Sequence, residues 1–123
     1  MATLYSEKLL DHFRNPRNYG SLAAPDISHE SFNPLCGDRL RLELKLENET
    51  VAEARFVGDG CAISIAAASL LTELILNKDT DFLKTIAGEQ LIAALESDIK
   101  PARLQCALLP LDALRSGLTT RGT

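Results

Sequence analysis

The chain has 123 residues, a formal net charge of −4, 46% hydrophobic and 24% charged residues. That length predicts one compact domain over residues 1–123, with a mostly aliphatic core because aromatics are few and Trp is absent. No basic excess suggests nucleic acid. No continuous apolar run near the N-terminus reads as a secretory signal, and the longest weakly polar run, residues 61–71, is too short to span a bilayer. A soluble cytoplasmic protein with no nucleic-acid or membrane partner is expected.

Tyr5, Leu9, Leu10 and Phe13 recur at helical spacing and predict an amphipathic helix over residues 4–14, capped by Thr3 or Ser6. It should end at Asn15-Pro16, because the residue before proline is pushed out of the helical region. His12 stands among charges and is expected on the solvated surface with no ligand role. Residues 15–20 form a turn-rich connector and residues 21–31 a polar, irregular stretch, with Phe32 beginning a short strand. His29 falls in that stretch; it could approach a metal, but no motif requires it.

Asn33-Pro34-Leu35-Cys36-Gly37-Asp38 follows. Asn-Pro and Gly form turns, so a thiol and a carboxylate are expected on a tight, exposed bend. From Arg39 to Glu47 the residues alternate, with Leu40, Leu42, Leu44 and Leu46 inward and Arg39, Arg41, Glu43, Lys45 and Glu47 outward. Asn48-Glu49 turns the chain into a second strand, residues 50–57, with Ala52, Ala54 and Phe56 inward. The pair predicts an antiparallel hairpin, with Arg41 or Lys45 set against Glu53.

Gly58-Asp59-Gly60 closes the strand and Cys61 follows at once. Residues 63–76 then predict a broad-faced buried helix with Ser64 as its cap. Unpaired N–H groups and the positive end of a helix dipole beside Cys61 suit a thiol that binds or reacts. Two short helices are predicted over residues 81–87 and 89–96. The last should begin just after Cys106, because Pro110 fits a first turn and not an interior, and stop at Gly117, with a frayed tail beyond Leu118.

Three thiols and one carboxylate at element boundaries are potential ligands for a soft or borderline metal. In a reducing compartment, ligands or reactive thiols are a better reading than a disulfide with one cysteine left over. Three buried structural thiols are the competing reading, because Cys packs well as a small hydrophobe. The spacing does not decide: no two cysteines form a CxxC pair. A phosphate-cradling Gly loop and a nucleophile–base–acid set are both missing.

The motifs themselves carry a resemblance. Asn33-Pro34-Leu35-Cys36-Gly37-Asp38, then Gly58-Asp59-Gly60-Cys61-Ala62-Ile63-Ser64 with Ala68-Ser69, then Arg103-Leu104-Gln105-Cys106-Ala107 resemble the three signatures of iron–sulfur cluster scaffold proteins of the IscU/NifU/SufU type. Tyr5-Ser6-Glu7-Lys8 and the run from Asp11 to Asn18 with Gly20 are similar to that family's opening segment. The resemblance implies an α+β fold, with a small antiparallel β-sheet of about three strands packed against helices and a metal site at one exposed end. It implies Cys36, Asp38, Cys61 and Cys106 as that site. The implied activity is a scaffold or carrier rather than an enzyme. It would receive sulfur from a cysteine desulfurase on Cys106 or Cys61, bind iron, build a [2Fe–2S] cluster and pass it to apo-proteins. Thiolates are natural cluster ligands, and a harder carboxylate in the fourth place keeps the cluster transferable. Zinc also fits a Cys3Asp set.

Three departures bear on this. Gln105 stands where Isc-type members usually carry His. The Isc-type Leu-Pro-Pro-Val-Lys stretch, read by a dedicated chaperone, is replaced by residues 98–103, which speaks against that chaperone as a partner. The interval between Cys61 and Cys106 lacks room for the extra residues often found in the Suf-type subgroup. Two other readings stay open: a zinc-bound acceptor that relays persulfide sulfur without holding a cluster, and a structural metal-binding module without sulfur chemistry.

Overall fold

In a computed structural model, residues 5–35 and 37–122 are described. The proposed cap Thr3 and the predicted ligand Cys36 lie outside them. Helix α1 spans Glu7–Arg14, and strands β1, β2 and β3 span Ile27–Asn33, Asp38–Glu47 and Thr50–Asp59. Helix α2 spans Ala62–Ile75, α3 Thr80–Leu83, α4 Gly88–Ala94 and α5 Leu104–Gly122, the last entered through a 3-10 turn at Pro101–Arg103. The strands form one antiparallel sheet in the order β1-β2-β3. Helix α2 packs on β3 and α5 on β1 and β2, while α1 lies on α2 and α4 against both α2 and α5. The α+β fold with a small antiparallel sheet is as expected.

Local chemistry explains the boundaries. Ser6 caps α1 by accepting the Leu9 N–H at 3.1 Å, and its own hydroxyl donates to the Leu95 carbonyl at 2.8 Å. The hairpin turns on Asn48 and Glu49, both at positive φ (51° and 62°), the conformation that matches the twist of the strands it joins. Helix α2 is apolar on nearly every side, and eleven of its fourteen residues are buried, so it must lie inside the molecule. Asn77, at φ 67°, ends it, and main-chain bonds between Asn77, Lys78 and Val51 tie this end to the start of β3.

Several expectations change. Strand β1 runs from Ile27 through a stretch expected to be irregular; it pairs residue by residue with β2, and backbone pairing overrides its polar composition. Val51 takes the buried place assigned to Ala52, which is only half-buried. The register slips between Lys45 and Leu46, leaving Ala52 as the extra residue of a bulge that reverses the alternation. Glu43 is buried rather than outward: the connector crosses above it, and Leu22 donates its N–H to Glu43 Oε1 at 2.7 Å. Lys45 lies opposite Glu53, yet its ammonium pairs with Asp26 at 3.9 Å; Arg41 sits 3.0 Å from Glu43.

The last helix departs furthest. It includes Cys106, carries Pro110 in its interior and continues past Gly117 to Gly122. Proline removes the bond to the Cys106 carbonyl four residues back, a cost of roughly 3 kcal/mol. Full burial of Leu111 and Leu114 contributes about 1.5–3 kcal/mol each and outweighs it. Gly117 is not a stop but a contact, since it lets the helix lie on Ile27. Arg121, paired with Glu49 at 3.0 Å, fastens the end expected to fray. No described helix is long and apolar enough to cross a membrane.

His12 corrects the reading of a surface histidine. It is buried, and its Nδ1 shares a 2.7 Å hydrogen bond with Ser69 Oγ, which also accepts the Arg17 N–H at 2.9 Å. The bend at Asn15-Pro16 folds the connector back over this point. Burial pushes the His12 pKa below its ordinary 6.5, aided by the Arg17 charge and opposed by Glu73, 3.6 Å from Nε2.

Two predictions follow from these contacts. The unfolded chain takes up the His12 proton at higher pH than the folded one, so stability is fully present above pH 6.5 and falls as pH is lowered toward the folded value. Urea midpoints measured from pH 8 to 5 should fall with acid, and fall less steeply in His12→Gln; equal slopes would refute the assignment. At Gly117 an added Cβ would lie 2.7 Å from Ile27 Cγ2, an atom one bond from that residue's own Cβ. Overpacking costs about 1–3 kcal/mol against a helix-propensity gain of up to about 1 kcal/mol. Gly117→Ala should therefore lower stability by about 1 kcal/mol in denaturant titration.

Candidate metal centre

Antiparallel pairing puts the first residue of β2 beside the last residues of β3, with Arg39 opposite Asp59. Only Gly60 and Cys61 separate β3 from helix α2, so Asp38 and Cys61 meet at this end of the sheet. Cys106 arrives in the first turn of α5. One ligand atom from each of Asp38, Cys61 and Cys106 lies within 4.8 Å of the others. Asp38 and Cys106 are buried and Cys61 is half-buried. The loop leading to Asp38 is a tight turn, with the Gly37 N–H on the Asn33 carbonyl at 2.8 Å and Gly37 at φ 76°. Leu35 in that loop is 92% exposed.

The carboxylate is not on an exposed bend as its motif suggested. It turns inward to the start of α2, where Cys61 donates its N–H to Oδ1 at 3.3 Å and Ser64 its hydroxyl to Oδ2 at 3.0 Å. The negative group thereby meets the positive end of the helix dipole. Ser64 is not the cap; Cys61 holds that position, without a side-chain capping bond. Gly60 leaves the space in which these groups meet, since a Cβ there would fall 2.3 Å from Ser64 Oγ and 3.2 Å from Asp38 Cγ.

Arg103 is a further member that sequence reasoning passed over. Its guanidinium is pushed above its ordinary value, first by a side-chain hydrogen bond with Cys106 and then by the charges of Cys61 and Cys106. Its position three residues before Cys106, at the entry to a helix, was the available signal. Gln105 is exposed, and His29 lines a separate shallow cavity with Arg115, Ser116 and Thr119.

The donor set suits a soft or borderline cation. Zinc–sulfur bonds of about 2.3 Å put neighbouring tetrahedral ligands roughly 3.8 Å apart. The three atoms, within 4.8 Å, need close by only about 1 Å to hold one ion. Cobalt is a spectroscopic substitute for zinc in such a set. Gly60→Ala should drive Ser64 and Asp38 apart and also lower the melting temperature of the metal-free protein, because both side chains are buried and the clashing Ser64 Oγ is one bond from its own Cβ. Zinc affinity, measured by chelator competition, should fall about 10-fold or more; unchanged affinity would refute the role given to this gap.

Residues 4–120 match the family of the NifU-like N-terminal domain. The zinc-dependent sulfurtransferase SufU of Bacillus subtilis (strain 168) is 39% identical, with 96% of this chain and 91% of that protein aligned. The iron–sulfur cluster assembly scaffold protein IscU of Escherichia coli (strain K12) is 36% identical, over 93% of this chain and 91% of the relative. In fold, the chain superposes with a TM-score of 0.80 on a crystal structure of a candidate SUF-system cluster assembly scaffold from Fervidobacterium islandicum AW-1, at 24% identity, over 94% of this chain and 96% of that one.

Proposed function

This chain belongs to the family of the NifU-like N-terminal domain, and on that premise we propose that it is a scaffold and carrier in iron–sulfur cluster assembly. It accepts sulfur from a cysteine desulfurase, binds iron, assembles a [2Fe–2S] cluster as cargo and hands it to apo-proteins. The observation that carries this reading is the convergence of Asp38, Cys61 and Cys106, far apart in sequence, on one point. Cys36 completes the proposed set.

Sulfur uptake is thiol exchange. A thiolate of this chain attacks the terminal sulfur of the desulfurase persulfide; one S–S bond forms, one breaks, and the desulfurase thiolate leaves with the electron pair. No external oxidant is needed. Cys61 and Cys106 are the candidate acceptors. Cys61 is reachable as it stands, whereas Cys106, 2% exposed, needs the start of α5 to open. When bound, zinc or iron would hold the thiolates and Asp38, supplying charge compensation and order.

A second reading is a zinc-bound sulfur relay that never holds a cluster. It is favoured by ligand atoms spaced for one ion and by the 39% identical relative's description as a zinc-dependent sulfurtransferase. Anaerobic incubation with iron, cysteine and a desulfurase separates the two. The scaffold reading expects a visible chromophore, acid-labile sulfide and transfer to apo-ferredoxin, with the chromophore lost in Cys106→Ser and transfer slowed in Asp38→Ala, which removes the ligand that keeps the cluster transferable. Gain of one sulfur by mass, with zinc retained and no chromophore, would establish the relay instead.

A further inference from the structure

Ser64 is 1% exposed, on the first turn of a helix, beside Gly60. A buried hydroxyl needs a hydrogen-bond partner, and this one has three polar neighbours for a single proton. Asp38 Oδ2 is at 3.0 Å, the Cys61 carbonyl at 3.1 Å and Cys61 Sγ at 3.7 Å. It thus touches both the carboxylate and the residue that supplies one of the thiols. We propose that Ser64 is the positioning residue of the metal centre: its hydroxyl holds the Asp38 carboxylate as a ligand and sets how fast the ion leaves. The inference rests on the proposed metal-binding role of Asp38, Cys61 and Cys106.

A carboxylate offers about four lone-pair sites. Ser64 takes one on Oδ2 and the Cys61 N–H one on Oδ1, so the group is oriented from both oxygens. Without Ser64 the carboxylate loses a direct hydrogen bond at the start of α2 and is held less tightly there. Its hydroxyl competes with the ion for electron density on Oδ2, which by itself would weaken ligation. Orientation outweighs competition here, because a carboxylate already held by a hydrogen bond reaches the ion without having to be ordered by it.

Ser64→Ala, Asp38→Ala and the double variant are loaded with zinc, and release to a high-affinity chelator is timed in stopped flow. The cobalt-substituted forms are compared by visible absorption. Thermal melting of each metal-free protein reports the fold separately. Loss of an oriented partner typically weakens metal binding about 10- to 100-fold, so Ser64→Ala should release zinc about 10-fold faster or more, with altered cobalt bands. In the Asp38→Ala background the same substitution should change the release rate little, because its target is gone. Equal acceleration in both backgrounds would show only a structural role, and no acceleration in either would remove the role altogether; both overturn the proposal. Should Asp38→Ala itself release zinc at the native rate, the underlying ligand assignment fails and the proposal with it. Ser64→Thr, which retains the hydroxyl, should release zinc at close to the native rate, and release as fast as from Ser64→Ala despite an intact melt also counts against it.

Discussion

The structure depends on the burial of α2. A helix apolar on nearly every side is best satisfied at the centre, and here α1, α4, α5 and β3 pack around it. Its far end is tied to the start of β3 through Asn77, Lys78 and Val51. With that end fixed, the other must lie where β3 stops and β2 starts. Cys61 and Asp38 therefore become neighbours through core packing rather than by any attraction between them. Helix α5 crosses β1, β2 and α2 to fill the remaining apolar surface, and its first turn delivers Cys106 to the same end. The same hydrophobic free energy that folds the chain also assembles the site.

That assembly has an electrostatic consequence. Once the thiols lose their protons, two like charges within 4.8 Å repel by about 3 kcal/mol per pair at an effective dielectric of 20. Three such groups gathered at a largely buried point need a cation. The start of α2 and the Arg103 guanidinium supply part of the compensation. In the proposed role, shedding protons and taking a metal would be coupled events.

Much of this was legible in the residues. The Leu40–Leu46 alternation gave the central strand, Asn48-Glu49 gave the turn, and the Ala/Ile/Leu run after Cys61 gave the buried helix. The motif residues around Asp38, Cys61 and Cys106 pointed to one site, and those three do meet. What failed were features decided by contacts distant in sequence. The polarity of β1 hid a strand that exists because β2 offers a paired edge. Glu43 and His12 look solvated by local composition, yet the connector covers both. Pro110 and Gly117 read as helix boundaries by local rule, and tertiary packing overrode each. The bulge at Ala52 has no local signature, because a one-residue slip is visible only against the partner strand.

Ser64 shows why the site was harder to read than the fold. Serine on a first helical turn has a ready local explanation as a cap, and the sequence offered nothing against it. Its actual partner is 26 positions away, brought near only because α2 and β2 share an end. Helix caps and ligand-orienting groups draw on the same chemistry, a hydroxyl beside orphan backbone groups. They differ only in what else occupies the space. Gly60 is what distinguishes the cases here: without a side chain it leaves Asp38 room to reach the helix start, and the carboxylate takes over the role at the helix terminus. A glycine immediately before a thiol, followed three residues later by a small hydroxyl, has physical content as a pattern. It describes a helix start left open for a carboxylate supplied by another strand.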